Sequence, residues 1–107
     1  MENVDFDKLI KGNAYKIFVA ELEKHLLKAK QIFSENSQPA QTEFVQVGAC
    51  FHTIRGGAGF FGLSEIAQKA ARLETLLLKQ TKIDDLNEVR VLISEVDQLS
   101  KQLPPPN

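Results

Sequence analysis

The sequence predicts an all-α protein, an antiparallel up-down-up-down four-helix bundle preceded by a short extra N-terminal helix. Three observations carry this prediction. Apolar residues recur at steps of three and four along four separate segments, the breaks between segments are short, and no stretch is alternating or rich in β-branched residues.

Phe6, Leu9 and Ile10 follow Asp5 at helical spacing and are interrupted by Gly12-Asn13, which makes them the short leading helix. From Asn13 to Ser34 the stripe Phe18, Leu22, Leu26, Ala29 and Phe33 runs between charged residues, as in an amphipathic bundle helix. The polar stretch 35–39 ends at Pro39 and reads as a loop, so the second helix starts between Pro39 and Thr42. That helix carries Phe44, Val47, Phe51, Ile54 and Ala58 on one stripe and closes at Gly62. The third, capped by Ser64, buries Leu63, Ile66, Ala67, Ala70, Leu73 and Leu77 and fades over residues 80–82. Asp84 or Asp85 caps the fourth, whose stripe of Leu86, Val89, Ile93, Val96 and Leu103 stops at Pro104-Pro105-Pro106. Residues 1–103 thus form one domain, and 104–107 a proline-rich tail or the start of a linker.

A chain of 107 residues with 43% hydrophobic and 25% charged content closes one core without metal or disulfide. Thirteen basic against fourteen acidic residues leave a net charge of −1, which provides no global field for nucleic acid or an anionic membrane. Cys50 is the single cysteine, no apolar run approaches the roughly 20 residues that span a bilayer, and acids stand where a signal peptide needs bases. A cytoplasmic monomer is expected. The two histidines, His25 and His52, fall on different helices and make no metal motif.

The chemistry concentrates between Phe51 and Leu63. Glycine inside a helix costs about 1 kcal/mol relative to alanine, so Gly48, Gly56, Gly57 and Gly59 together cost roughly 3 to 4 kcal/mol and invite a reason. Advancing about 100° per residue surrounds His52 with Gly48, Ala49, Arg55, Gly56 and Gly59, and sets it roughly 90 to 120° from the middle of its helix's apolar stripe. Every neighbour but Arg55 is small, so His52 is expected at the solvent edge of a cleared surface. An imidazole there is open to another protein's active site, is substantially neutral near pH 7, and keeps a lone pair for attack on an acyl phosphate. Arg55, one turn on, is expected to place a fixed cation near the incoming phosphoryl oxygens.

With His52, Arg55, Gly56, Gly57-Ala58-Gly59 and Phe61-Gly62-Leu63 in place, the sequence resembles the histidine-containing phosphotransfer family. Its signature is a helical histidine followed by a basic residue at the third position and glycine at the fourth, then small residues and a closing Phe/Leu-Gly. The upstream helix and the Ala70-Ala71-Arg72-Leu73-Glu74 segment fit as well, so the likeness spans nearly the whole chain. The wording around His52 looks especially similar to the phosphotransfer domains of chemotaxis-type kinases. In that branch a glutamate of the third helix accepts a hydrogen bond from the other nitrogen of the phosphorylated histidine, and the resemblance implies this role for Glu74. Arg55 stands where the family usually has lysine, which keeps the charge and alters the hydrogen-bonding geometry.

The resemblance implies a phosphocarrier rather than an enzyme. His52 exchanges a phosphoryl group with the aspartate of a receiver domain in a two-component relay, or alternatively takes it from ATP inside a separate histidine kinase domain. No cofactor is bound, and Mg²⁺ comes from the partner during transfer. Other readings fare worse. Gly57-Ala58-Gly59-Phe60-Phe61-Gly62 fits G-x-G-x-x-G, but that fingerprint needs a preceding strand and here follows a helix. His25 has no cleared surroundings and reads as an ordinary edge residue. Phe60 and Phe61 read as core or loop anchors, and Cys50 as a small packed residue.

Overall fold

The computed structural model describes residues 12–34, 38–79 and 86–105. Its helices are α1 (Asn13–Ile32), α2 (Gln41–Phe60), α3 (Ser64–Glu74, continued by a π-helical turn over Thr75–Lys79) and α4 (Leu86–Lys101). No strand occurs among the described residues. The leading helix expected over Phe6–Ile10 and the caps expected at Asp84 or Asp85 lie outside them.

Each helix packs on its neighbours around a ring, α1 on α2, α2 on α3, α3 on α4 and α4 on α1. Contacts between their ends make the ring antiparallel. Tyr15 at the start of α1 meets Phe61 at the end of α2 edge-on at 5.7 Å, and Phe33 beyond α1 stacks on Phe44 early in α2 at 5.8 Å. Lys69 pairs with Glu95 and Arg72 with Glu88 between α3 and α4, and the Tyr15 hydroxyl donates to the Pro104 carbonyl at 2.6 Å.

The core is the set of stripes that helical periodicity selects: Phe18, Leu22, Leu26 and Ala29; Val47, Phe51, Ile54 and Ala58; Ile66, Ala70, Leu73 and Leu77; Val89, Ile93 and Val96. Burying a side chain such as Phe51 or Leu73 contributes about 1.5 to 3 kcal/mol. Because four such anchors lie along one side of α2, they fix its rotation and thereby decide what its outer face presents.

Helix ends carry local explanations. The Glu43 carboxylate accepts from the Ala40 backbone N–H at 2.8 Å, tying down the start of α2. At the other end the Gly62 N–H donates to Gly59 and the Leu63 N–H to Ala58, a paired closure that puts Gly62 at φ 72°, where a side chain would be strained. Ser64 is the first residue of α3 rather than its cap, a place that Leu63 takes. The widened turn at Thr75–Lys79 buries Leu76 and Leu77 together, leaves Leu78 partly exposed, and is accompanied by a Thr75 hydroxyl bond to the Ala71 carbonyl. Simple α-periodicity did not anticipate it.

Candidate functional site at the α2/α3 edge

His52 stands one residue past buried Phe51, turned out of the core, with its side chain 60% exposed. Opposite it on α3 is Glu74, which the burial of Ala70 and Leu73 aims back towards α2; only 15% of its side chain is exposed. His52 Nδ1 lies 2.7 Å from Glu74 Oε2. Arg55, one turn after His52, donates its Nε–H to Glu74 Oε1 at 2.7 Å, and its Nη2 lies 3.2 Å from His52 Nδ1.

These distances determine where the imidazole proton sits. The Arg55 hydrogen bond, reinforced by the one from His52, holds the Glu74 carboxyl below the usual carboxylate range against the opposing effect of partial burial. An ionised oxygen at 2.7 Å faces an N–H and not a lone pair, so Nδ1 carries the proton and donates to Glu74. Nη2 of Arg55 then faces Nδ1 as donor to donor and makes no bond with it. In the neutral ring, Nε2, across from Glu74, then keeps the lone pair.

The small residues around His52 divide into two groups. Ala49 is exposed, and a Cβ added at Gly56 or at Gly59 would meet nothing within 4 Å. Gly48 corrects the sequence reading, which put it in the same clearing. It is buried, and a Cβ there would lie 2.6 Å from Leu78 Cγ and 3.2 Å from Leu77 Cβ. Its lack of a side chain lets α3 approach α2 rather than opening the surface to a visitor. Gly57 likewise faces α1, where a Cβ would come within 2.6 Å of the Phe18 ring.

At Arg55 the sequence places a fixed cation near the incoming phosphoryl oxygens; the guanidinium is beside His52 and is also engaged by Glu74, a partner the spacing does not supply. Glu74 in turn gains from across the groove the basic partner that the residues three and four positions away on its own helix do not offer. His25 is half-buried on α1, 3.5 Å from Glu21, and burial lowers its pKa. Burial pushes the Cys50 thiol up, in keeping with a packed residue. Phe61 is buried against Tyr15 and Phe18, but Phe60 is 80% exposed. Val45, two turns before His52, is also exposed; its place on the same outer face was readable from spacing and was overlooked. No helix is long and apolar enough to cross a membrane among the described residues, and no group of three or more His, Cys, Asp or Glu side chains among them could hold a metal ion.

No curated protein and no solved structure matches the chain. Residues 13–102, from the first residue of α1 to just beyond α4, match the family model described as the Hpt domain. With a helical bundle of the expected class and a match over most of its length, the chain belongs to the Hpt domain family, the phosphocarrier modules that act in histidine phosphotransfer with kinase and receiver domains of phosphorelays.

Proposed function

We propose that His52 is the phosphoryl carrier and that its Nε2 exchanges the group with the aspartate of a receiver domain. The observation that carries this reading is the Nδ1 hydrogen bond to Glu74, which leaves the lone pair on the exposed nitrogen. In the accepting direction, Nε2 attacks the phosphorus of the aspartyl phosphate. The new N–P bond forms as the P–O bond breaks, and the electron pair leaves with the aspartate carboxylate. The ring, still protonated at Nδ1, gains positive charge, and Glu74 stabilises that charge at short range. Release to a receiver runs the same steps backwards.

Arg55 acts here chiefly as a positioning residue, holding one Glu74 oxygen while the other holds the ring. Ala49, Gly56 and Gly59 provide clearance for the partner's active site. Kinase or phosphatase activity belongs to partner domains, and Mg²⁺ would be supplied by the partner during transfer, where it would neutralise phosphoryl charge.

The test is radiolabelling by a phosphorylated receiver. A base-stable, acid-labile label is expected on the wild-type chain and absent from His52→Gln; label that survives the substitution overturns the assignment. A second reading, phosphorylation from ATP by a separate chemotaxis-type kinase domain, is favoured by the Glu74 contact, which the chemotaxis branch led us to expect. A kinase domain that labels His52 from ATP with no receiver present would select it.

A further inference from the structure

The ion pairs of the bundle are unevenly distributed. Lys30 and Lys101 share Asp97 at the α1/α4 edge, Lys69 and Arg72 pair with Glu95 and Glu88 between α3 and α4, and Arg55 pairs with Glu74. Lys24 and Lys28 on α1 are exposed and form no ion pair among the described residues. Among the described residues the other lysines in that condition, Lys16 and Lys79, lie at helix ends.

Helical geometry gives Lys28 a direction. Lys30 faces α4, where it meets Asp97, and two residues of helix turn Lys28 roughly 160° away from it, onto the flank beside α2. Lys24, one turn before Lys28, shares that flank, and the two ammonium groups lie near enough to Cys50, on the side of α2 turned away from His52, to favour its thiolate. The pair therefore borders the outer face of α2 on the side opposite the Glu74 edge. Between the two borders lie Val45, Ala49, Gly56 and Phe60, with the polar Gln46 and Thr53 towards the α1 flank, all exposed.

Of the carboxylates near this face, Glu43 accepts from the Ala40 N–H and both oxygens of Glu74 are taken, whereas Glu21, one turn before Lys24 and facing His25, offsets one of the two charges and leaves the lysines in excess. The positive charge is local, since the chain as a whole carries −1. A standard interface covers roughly 800 Å² on each partner, a disc of roughly 16 Å radius, and helix axes pack roughly 8 to 10 Å apart. A partner centred on His52 thus covers α2 and reaches α1.

We propose that the docking face runs from His52 across the outer face of α2 to Lys24 and Lys28, and that the receiver domain seated on it presents carboxylates to these two lysines. The proposal rests on the phosphocarrier reading and specifies its partner. Rim charges of this kind act on encounter and on partner choice more than on the chemical step.

The experiment loads wild type, Lys24→Glu/Lys28→Glu, Lys24→Ala/Lys28→Ala and Lys16→Glu with phosphoramidate. Transfer is then followed to whichever of a set of purified receiver domains takes the label fastest. At low salt the double reversal should reduce kcat/KM by about tenfold or more, with the alanine pair in between, and the deficit should shrink as salt shortens the screening length. Equal kcat/KM for wild type and double reversal across ionic strength overturns the proposal, as does a loss for Lys16→Glu as large as that for the pair. Wild-type chain that takes no label on His52 from phosphoramidate or from a phosphorylated receiver would instead defeat the phosphocarrier reading, and this one with it.

Discussion

Arg55 grips Glu74 across the groove between α2 and α3, its Nε 2.7 Å from Oε1, so the cation beside the histidine is held by the same carboxylate that orients it. Removing the guanidinium should be felt first at Glu74. In Arg55→Gln the carboxyl loses the largest influence lowering its pKa, and its titration, followed by carbon NMR, should move up towards the ordinary carboxylate range. Arg55→Lys should restore only part of the difference, because an ammonium lacks the planar fork that presents Nε and Nη2 together. An unmoved Glu74 titration in Arg55→Gln would remove the positioning role.

Glu74→Ala should slow phosphorylation of His52 without abolishing it. A hydrogen bond to a charged group contributes about 1.5 to 3 kcal/mol, so losing it corresponds to roughly 10- to 100-fold in rate if it is made fully in the transition state. Nitrogen chemical shifts give an independent readout. In the wild type Nδ1 should be the protonated nitrogen of the neutral ring, and in Glu74→Ala the proton should redistribute towards Nε2. A variant with the wild-type rate and tautomer would return Glu74 to an ordinary edge acid.

The depressed Glu74 pKa sets the sign of a pH effect. Its stabilising contribution is fully present above the unfolded carboxyl pKa and is lost as pH falls through the lower folded value. The difference in denaturant midpoint between wild type and Glu74→Gln should therefore hold from pH 7 down to about the normal glutamate range near 4.3, and narrow only below it. In an Arg55→Gln background the narrowing should begin at the same pH but be smaller and be complete at higher pH, because only the folded-state pKa rises. A difference that grows on acidification would contradict this coupling.

Rotation about a single helix axis carried much of the site. Val47, Phe51, Ile54 and Ala58 define one side of α2, so the exposure of His52, Ala49 and Gly56 follows from their spacing alone. The same geometry does not say which flank a neighbouring helix covers, and for that reason Gly48 was grouped with the open glycines although α3 lies on it. Nor could it provide the partner of Arg55, because positions three and four residues apart describe contacts within one helix while Glu74 comes from another. The π turn was invisible for a different reason. Leu76, Leu77 and Leu78 are all apolar, so composition there is compatible with more than one hydrogen-bonding register, and packing of Leu76 and Leu77 into the core selects the wider one.

The glycines offer a test in which packing and propensity predict opposite signs. Gly56 lies inside α2 with open space where a Cβ would go, so Gly56→Ala should stabilise the fold by about 0.5 to 1 kcal/mol. Gly48→Ala gains the same propensity but must displace Leu78, whose Cγ would be 2.6 Å away, and press on Leu77 Cβ at 3.2 Å. Overpacking costs about 1 to 3 kcal/mol, so the balance should be destabilising by about 1 kcal/mol. Gly56→Leu should keep the helix and instead slow transfer to a receiver, since the added side chain projects from the surface beside His52 and not into the core. Chemical denaturation of the three variants, with transfer rates measured in parallel, separates the two roles. A stabilising Gly48→Ala would mean that α3 yields easily at this contact, and an unimpaired Gly56→Leu would mean that the clearing beside His52 is not where a partner sits.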